Sequence, residues 1–156
     1  MPDLNKNNPV LILICLLMFS SCDSKRVFEE NKPLENRSWK SADKLEFSVT
    51  INDTTIPYNV FLNIRNSMDY PYSNLYLFLK TSFPDGKVSL DTIECILADY
   101  DGRWLGSGIG SVKFNKCLFQ KNVSFPRRGK YNFEFEQAMR VNVLKGITDV
   151  GLRIER

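Results

Sequence analysis

Cys22 stands directly after an apolar run, Val10 to Phe19, and two small residues, Ser20 and Ser21. A thiol in that position is suited to acylation. The run is too short for a bilayer span, which needs about 20 apolar residues. It fits the core of a secretory signal with small residues at the cut site. Cleavage before Cys22 makes it the lipid-bearing first residue, the signature of a bacterial lipoprotein. The alternative is an ordinary secretory signal cut nearby, with Cys22 an accidental thiol.

Two further thiols, Cys95 and Cys117, lie in the exported part, where the compartment is oxidising. They either pair or act as two small buried apolar residues, because spacing alone does not fix geometry. Asp99 and Asp101 are spaced like part of a calcium loop, but the rest of that pattern is missing. Beside them, Arg103 and Trp104 are of the types enriched as interface anchors. Four glycines surround Trp104, which fits equally well a connection folded against the core. The tyrosines Tyr58, Tyr70, Tyr72 and Tyr76, with Phe78, raise a carbohydrate-binding reading; the same residues also suit sheet faces and bury well. The chain has no histidine. That removes Ser-His-Asp and Cys-His catalysis and the usual zinc sites. No metal or cofactor is expected, and no nucleic-acid motif is present.

The elements that must position these residues follow from period and punctuation. Residues 1–21 form the signal. Residues 22–44, polar and without sustained apolar period, read as a lipidated N-terminus and tether, with Trp39 docking at its end. Residues 45–156 read as one domain. Leu45, Phe47, Val49 and Ile51 alternate with polar residues, as do Val60, Leu62 and Ile64, and this marks half-buried strands. Leu75, Leu77 and Leu79 face one way with Tyr76 and Phe78 on the other, which predicts a strand covered on both sides. A phase slip between Leu90 and Ile93 predicts a bulge. Val112–Phe114, Cys117–Phe125, Tyr131–Phe135 and Val150–Ile154 add further strands, and the only helical hint spans Gln137 to Leu144. Seven or eight short strands joined by polar turns predict an all-β, antiparallel, immunoglobulin-like β-sandwich. Charge is uneven: residues 22–102 carry net −4 and residues 103–156 net +7. The basic half could meet anionic head groups or an acidic partner, but a β-topology is expected to mix the halves in space.

Several phrases in order resemble one family. They are Ser38-Trp39, Pro57-Tyr58-Asn59, Ile64-Arg65-Asn66, Tyr70-Pro71-Tyr72-Ser73-Asn74-Leu75, Phe83-Pro84-Asp85-Gly86-Lys87, Gly102-Arg103-Trp104-Leu105-Gly106, Gln137-Ala138-Met139-Arg140 and Gly146-Ile147-Thr148-Asp149-Val150-Gly151. Behind a lipoprotein signal, this set resembles the GldH family of gliding-motility lipoproteins of the Bacteroidetes. The resemblance implies a non-enzymatic structural or assembly component of the cell envelope. Its partners would be the membrane, through the N-terminal lipid, and other gliding or secretion-machinery proteins. The Lys25-Arg26 pair after Cys22, in place of an acidic cluster, leans towards the outer membrane, facing the periplasm. The runner-up is a carbohydrate-binding lipoprotein. From the residues themselves, those of interest are Cys22 for lipidation, Cys95 and Cys117 as a candidate disulfide or two buried thiols, and Arg103, Trp104, Tyr70 and Tyr72 as candidates for interaction.

Overall fold

A computed structural model of the chain describes residues 23–156; the signal segment and Cys22 lie outside the described residues. The elements are strands β1 (Arg26–Pro33), β2 (Ser38–Lys40), β3 (Leu45–Ile51), β4 (Tyr58–Ser67), β5 (Asn74–Ser82), β6 (Val88–Ile96), β7 (Val112–Val123), β8 (Gly129–Gln137), β9 (Val143–Lys145) and β10 (Ile147–Glu155). A short 3-10 turn, Glu35–Arg37, joins β1 to β2. Two four-stranded antiparallel sheets, ordered β1-β10-β4-β7 and β3-β8-β5-β6, face each other, with a small β2-β9 ribbon at the side. The expected antiparallel sandwich is present, with ten strands where seven or eight were expected.

Alternation builds the core. β4 and β10 send Val60, Leu62, Ile64, Val150, Leu152 and Ile154 inward, against Phe47, Leu77, Leu79, Tyr131, Phe133 and Phe135 from the other sheet. Phe47 and Phe135 meet edge-on, as do Phe125 and Tyr131.

Four expectations need correction. First, the polar tether is not a tether beyond residue 25. β1 pairs with β10 from Arg26 opposite Glu155 to Pro33 opposite Asp149. β2 pairs with β9, and Trp39 is fully buried. The side chains of β1 are polar because polar groups hold it in place. Asn63 donates to Glu29 at 2.9 Å, and Arg153 bridges Glu29, Glu155 and Asp23 on the outer face of the sheet.

Second, β5 is covered on one side only, so Phe78 is 52% exposed. Third, β5 and β6 pair without a slip from Ser82–Val88 to Asn74–Ile96. The apparent bulge is Leu90 facing solvent, 76% exposed, on a regular strand. Fourth, the helical hint is a loop followed by β9. The buried Gln137 amide organises this loop, donating to the Val141 carbonyl and accepting from the Met139 N–H.

Asp149, on the outer face of β10, is nearly buried. It has Arg65 Nη1 at 3.3 Å, and its Oδ1 has no hydrogen-bond partner. Burial pushes its carboxyl above the ordinary 3.8, outweighing the attraction of Arg65. Folding therefore favours the protonated acid. That contribution is fully present below pH 3.8 and is lost as pH rises through the raised value. Asp149→Asn cannot titrate. Its melting temperature relative to the parent chain should rise as pH is taken from acid to neutral. A difference that instead grows toward acid would mean that the Arg65 pair dominates.

Candidate interaction site at the glycine-rich loop

Residues 97–111 cross from β6 to β7, from one sheet to the other, at the end of the sandwich away from the start of β1. Asp99 shapes the first turn. Its Oδ1 accepts from the N–H of Asp101 at 3.0 Å and of Arg103 at 2.8 Å, a side-chain mimic of a backbone turn. Gly102 takes the left-handed conformation that the turn requires, at φ 77°. The Arg103 guanidinium then reaches Asp99 Oδ2 at 2.9 Å and Asp101 Oδ2 at 3.1 Å. Hydrogen bonds, led by the Arg103 N–H, hold the Asp99 carboxyl below its usual range. These two carboxylates are thus occupied within the loop. Among the described residues no group of three or more metal-ligating side chains occurs.

The chain then returns along itself: Leu105 N–H donates to the Leu97 carbonyl, and Ser107 pairs with Phe114. Gly106 is needed here because a Cβ would stand 2.8 Å from the Phe114 carbonyl oxygen and 2.7 Å from Asn115 Oδ1. Asn115 is itself buried and donates to Asn66 Oδ1 at 2.8 Å, joining the two amides across β4 and β7.

The loop is pinned by Trp104, half-buried and packed against the core, with its ring 6.4 Å from that of Tyr70. Tyr70 stacks edge-on with Tyr72 at 5.6 Å and donates its hydroxyl to the Asn74 carbonyl at 2.9 Å. Trp104, Tyr70 and Tyr72 therefore form one aromatic cluster, with Arg103 beside it on the loop. Tyr70 corrects an expectation: at 4% exposure it is a core residue and offers no surface. Burial pushes its phenol upward. Arg103 and Tyr72 keep accessible surface. The wider tyrosine set does not assemble. Tyr58 is buried at the opposite end, bonded to the Asp53 carbonyl, while Tyr76 lies on the outer face of β5.

Sequence reasoning missed the loop's exposed apolar tips. Tyr100 and Ile109 are fully exposed, and Leu105 and Met68 are more than half exposed. Met68 is tied to the loop by its N–H to the Ser111 carbonyl. Apolar residues between turn-forming glycines were the available signal.

Beneath the loop, a cleft of about 460 Å³ opens between β6 and β7. Cys95 and Cys117 line it, on the facing edge strands of the two sheets rather than on paired neighbours. Cys95 is buried and Cys117 half-buried. The Cys117 thiol beside it, together with burial, pushes the Cys95 thiol up, so it keeps its proton.

The chain matches the GldH lipoprotein family model over residues 26–154, from the first residue of β1 into the end of β10. A gliding motility lipoprotein GldH homolog of Christiangramia forsetii is 42% identical over 153 residues, covering 94% of this chain and 93% of that one. The gliding motility lipoprotein GldH of Flavobacterium johnsoniae is 38% identical over 158 residues, covering 97% of each. Among solved structures, dimeric latent PorU of Porphyromonas gingivalis aligns at TM-score 0.35 and 9% identity, over 85% of this chain and 13% of its own. The infectious bursal disease virus VP2 subviral particle aligns at TM-score 0.28 and 14% identity, over 86% and 34%. Matched along the whole described sandwich, and by relatives of almost equal length, the chain belongs to the GldH family of lipoproteins.

Proposed function

We propose that this chain is a lipid-anchored, non-enzymatic structural or assembly component of the cell envelope that serves gliding machinery. We place it on the outer membrane, facing the periplasm. The observation that carries the reading is the near-full-length similarity to gliding motility lipoproteins. The lipoprotein-type signal ending at Cys22 supports the anchor. The exposed tips Tyr100, Leu105 and Ile109, with Arg103, support the glycine-rich loop as the surface offered to a protein partner. Cross-linking with mass spectrometry in the native membrane tests this. Cross-links from this loop to other envelope proteins are expected. Cross-links confined to other faces would remove the loop from the reading.

The contact between the Cys95 and Cys117 thiols supports a bridge in the exported protein. Its formation takes two electrons and two protons from the pair and passes them to the compartment's thiol oxidants. The bridge would close a loop of about 20 residues and add ~3 kcal/mol in the chain-entropy model. Protein taken from the envelope, denatured without reductant, should show neither thiol free. Two free thiols would mean the residues serve as buried packing only.

A further inference from the structure

We propose that the end of the sandwich where β1 begins is a basic face that lies against anionic phospholipid head groups and fixes the orientation of the domain on its membrane. The proposal rests on lipidation at Cys22. Cys22 precedes the first residue of β1 by four positions. Four residues reach at most about 14 Å, so the anchored domain is held almost flush with the bilayer. The electrostatic field of an anionic surface decays over ~8 Å at physiological salt, and only an end held this close can use it.

The topology decides which side chains occupy that end. β3 ends and β4 begins there, the β5-β6 hairpin turns there, and the β7-β8 connection crosses there. The chain's last residue returns to the same place, its N–H donating to the Lys25 carbonyl at 3.0 Å. These connections bring together Arg26, Lys121, Arg127, Arg128, Lys130 and Arg156, all exposed. Most of the opposing charges there are already paired. Asp85 is paired with Arg127 at 3.1 Å. Asp23 is held by Arg153, and Glu29 by Arg26 and Arg153. Asp53 lies within the field of Arg128 and Arg156. Glu155 is already held by Lys116 and Arg153. Five of the eleven basic residues of the sequence's basic half gather at the anchor end, and Arg26 joins them. A negatively charged planar surface fits them better than a pocket would, since they come from separate turns.

The test uses the mature chain from residue 22, which contains every described strand, made without acyl groups and carrying Cys22→Ser. Cosedimentation is measured with vesicles of phosphatidylcholine alone and of phosphatidylcholine mixed with phosphatidylglycerol. Each basic side chain near an anionic surface is expected to contribute about fivefold to partitioning. The triple variant Lys121→Gln, Arg128→Gln, Lys130→Gln should therefore lose roughly 100-fold on the mixed vesicles. The control variant Lys40→Gln, Arg140→Gln, Lys145→Gln removes the same charge from the opposite end and should bind as the parent does. Matching melting curves confirm that all three fold. Equal losses in both variants, or equal binding to both vesicle types, would overturn the proposal. So would loss, in the first variant, of cross-links to an acidic envelope protein with vesicle binding unchanged, which would assign the face to that protein. The mass of the N-terminal peptide of the native protein reports lipidation separately, so failure of the anchor and failure of the face are told apart.

Discussion

Trp39→Ala is expected to cost about 3–5 kcal/mol, the range for removing a large aromatic side chain from a packed core. Trp39 is fully buried although it lies in a polar stretch. It is the central residue of β2, opposite Leu144 of β9, and its indole N–H donates to the Asp43 carbonyl at 2.8 Å. Alanine loses the packing and leaves that carbonyl without its donor. Total stabilities of single domains are about 5–15 kcal/mol, so this one change takes a large share of the total. Trp39→Phe keeps most of the ring's packing and should cost less, with loss of the hydrogen bond contributing about 1 kcal/mol. Urea unfolding of the mature chain measures both. A cost under about 0.5 kcal/mol, typical of surface changes, would mean that the segment before β3 is undocked in solution.

Cys22→Ala is expected to abolish the lipid anchor. Each buried methylene of an acyl chain contributes ~0.8 kcal/mol, and stable anchoring takes two such chains or one with a basic patch. No helix among the described residues is long and apolar enough to cross a membrane. The variant should appear either as precursor with its signal retained or as mature protein in the soluble fraction. Alkaline washing of membranes, followed by immunoblotting, distinguishes these. Full retention of a cleaved variant after the wash would show that something other than the lipid holds it. The basic face alone should release at high salt, because exposed charges are screened there.

β3, β4 and β5 are legible because each buries one face under the other sheet, and burial writes a period of two into the sequence. β1 is illegible for the opposite reason. It is an edge strand, held by backbone pairing and by Glu29 and Asn31 reaching Asn63 and Arg153, so its residues show no apolar alternation. β7 reads as two pieces because the inward position between them is Asn115, whose burial depends on Asn66, 49 positions away in the chain. Leu90 misleads because an exposed leucine cannot be told from a core leucine by type. At the candidate site, the turn chemistry of Asp99 and the glycines is local and readable. The meeting of Trp104 with Tyr70 is tertiary. So is the placement of Cys95 across from Cys117, which depends on how two sheets stack and not on spacing.

Arg156 meets Lys25 where β1 begins, and β1 then runs the length of β10. In a chain held through Cys22, tension between membrane and domain acts along the axis of β1. Such a load shears β1 against β10. The backbone bonds of the pair, with the Glu29–Arg153 and Asn31–Asn63 contacts, are then strained together, whereas a strand peeled from its end gives way bond by bond. Force entering at the lipid is thereby shared with β10 and the core behind it before any strand detaches. With the anchor at Cys22, the β1–β10 pair would resist traction better than a strand loaded from its end.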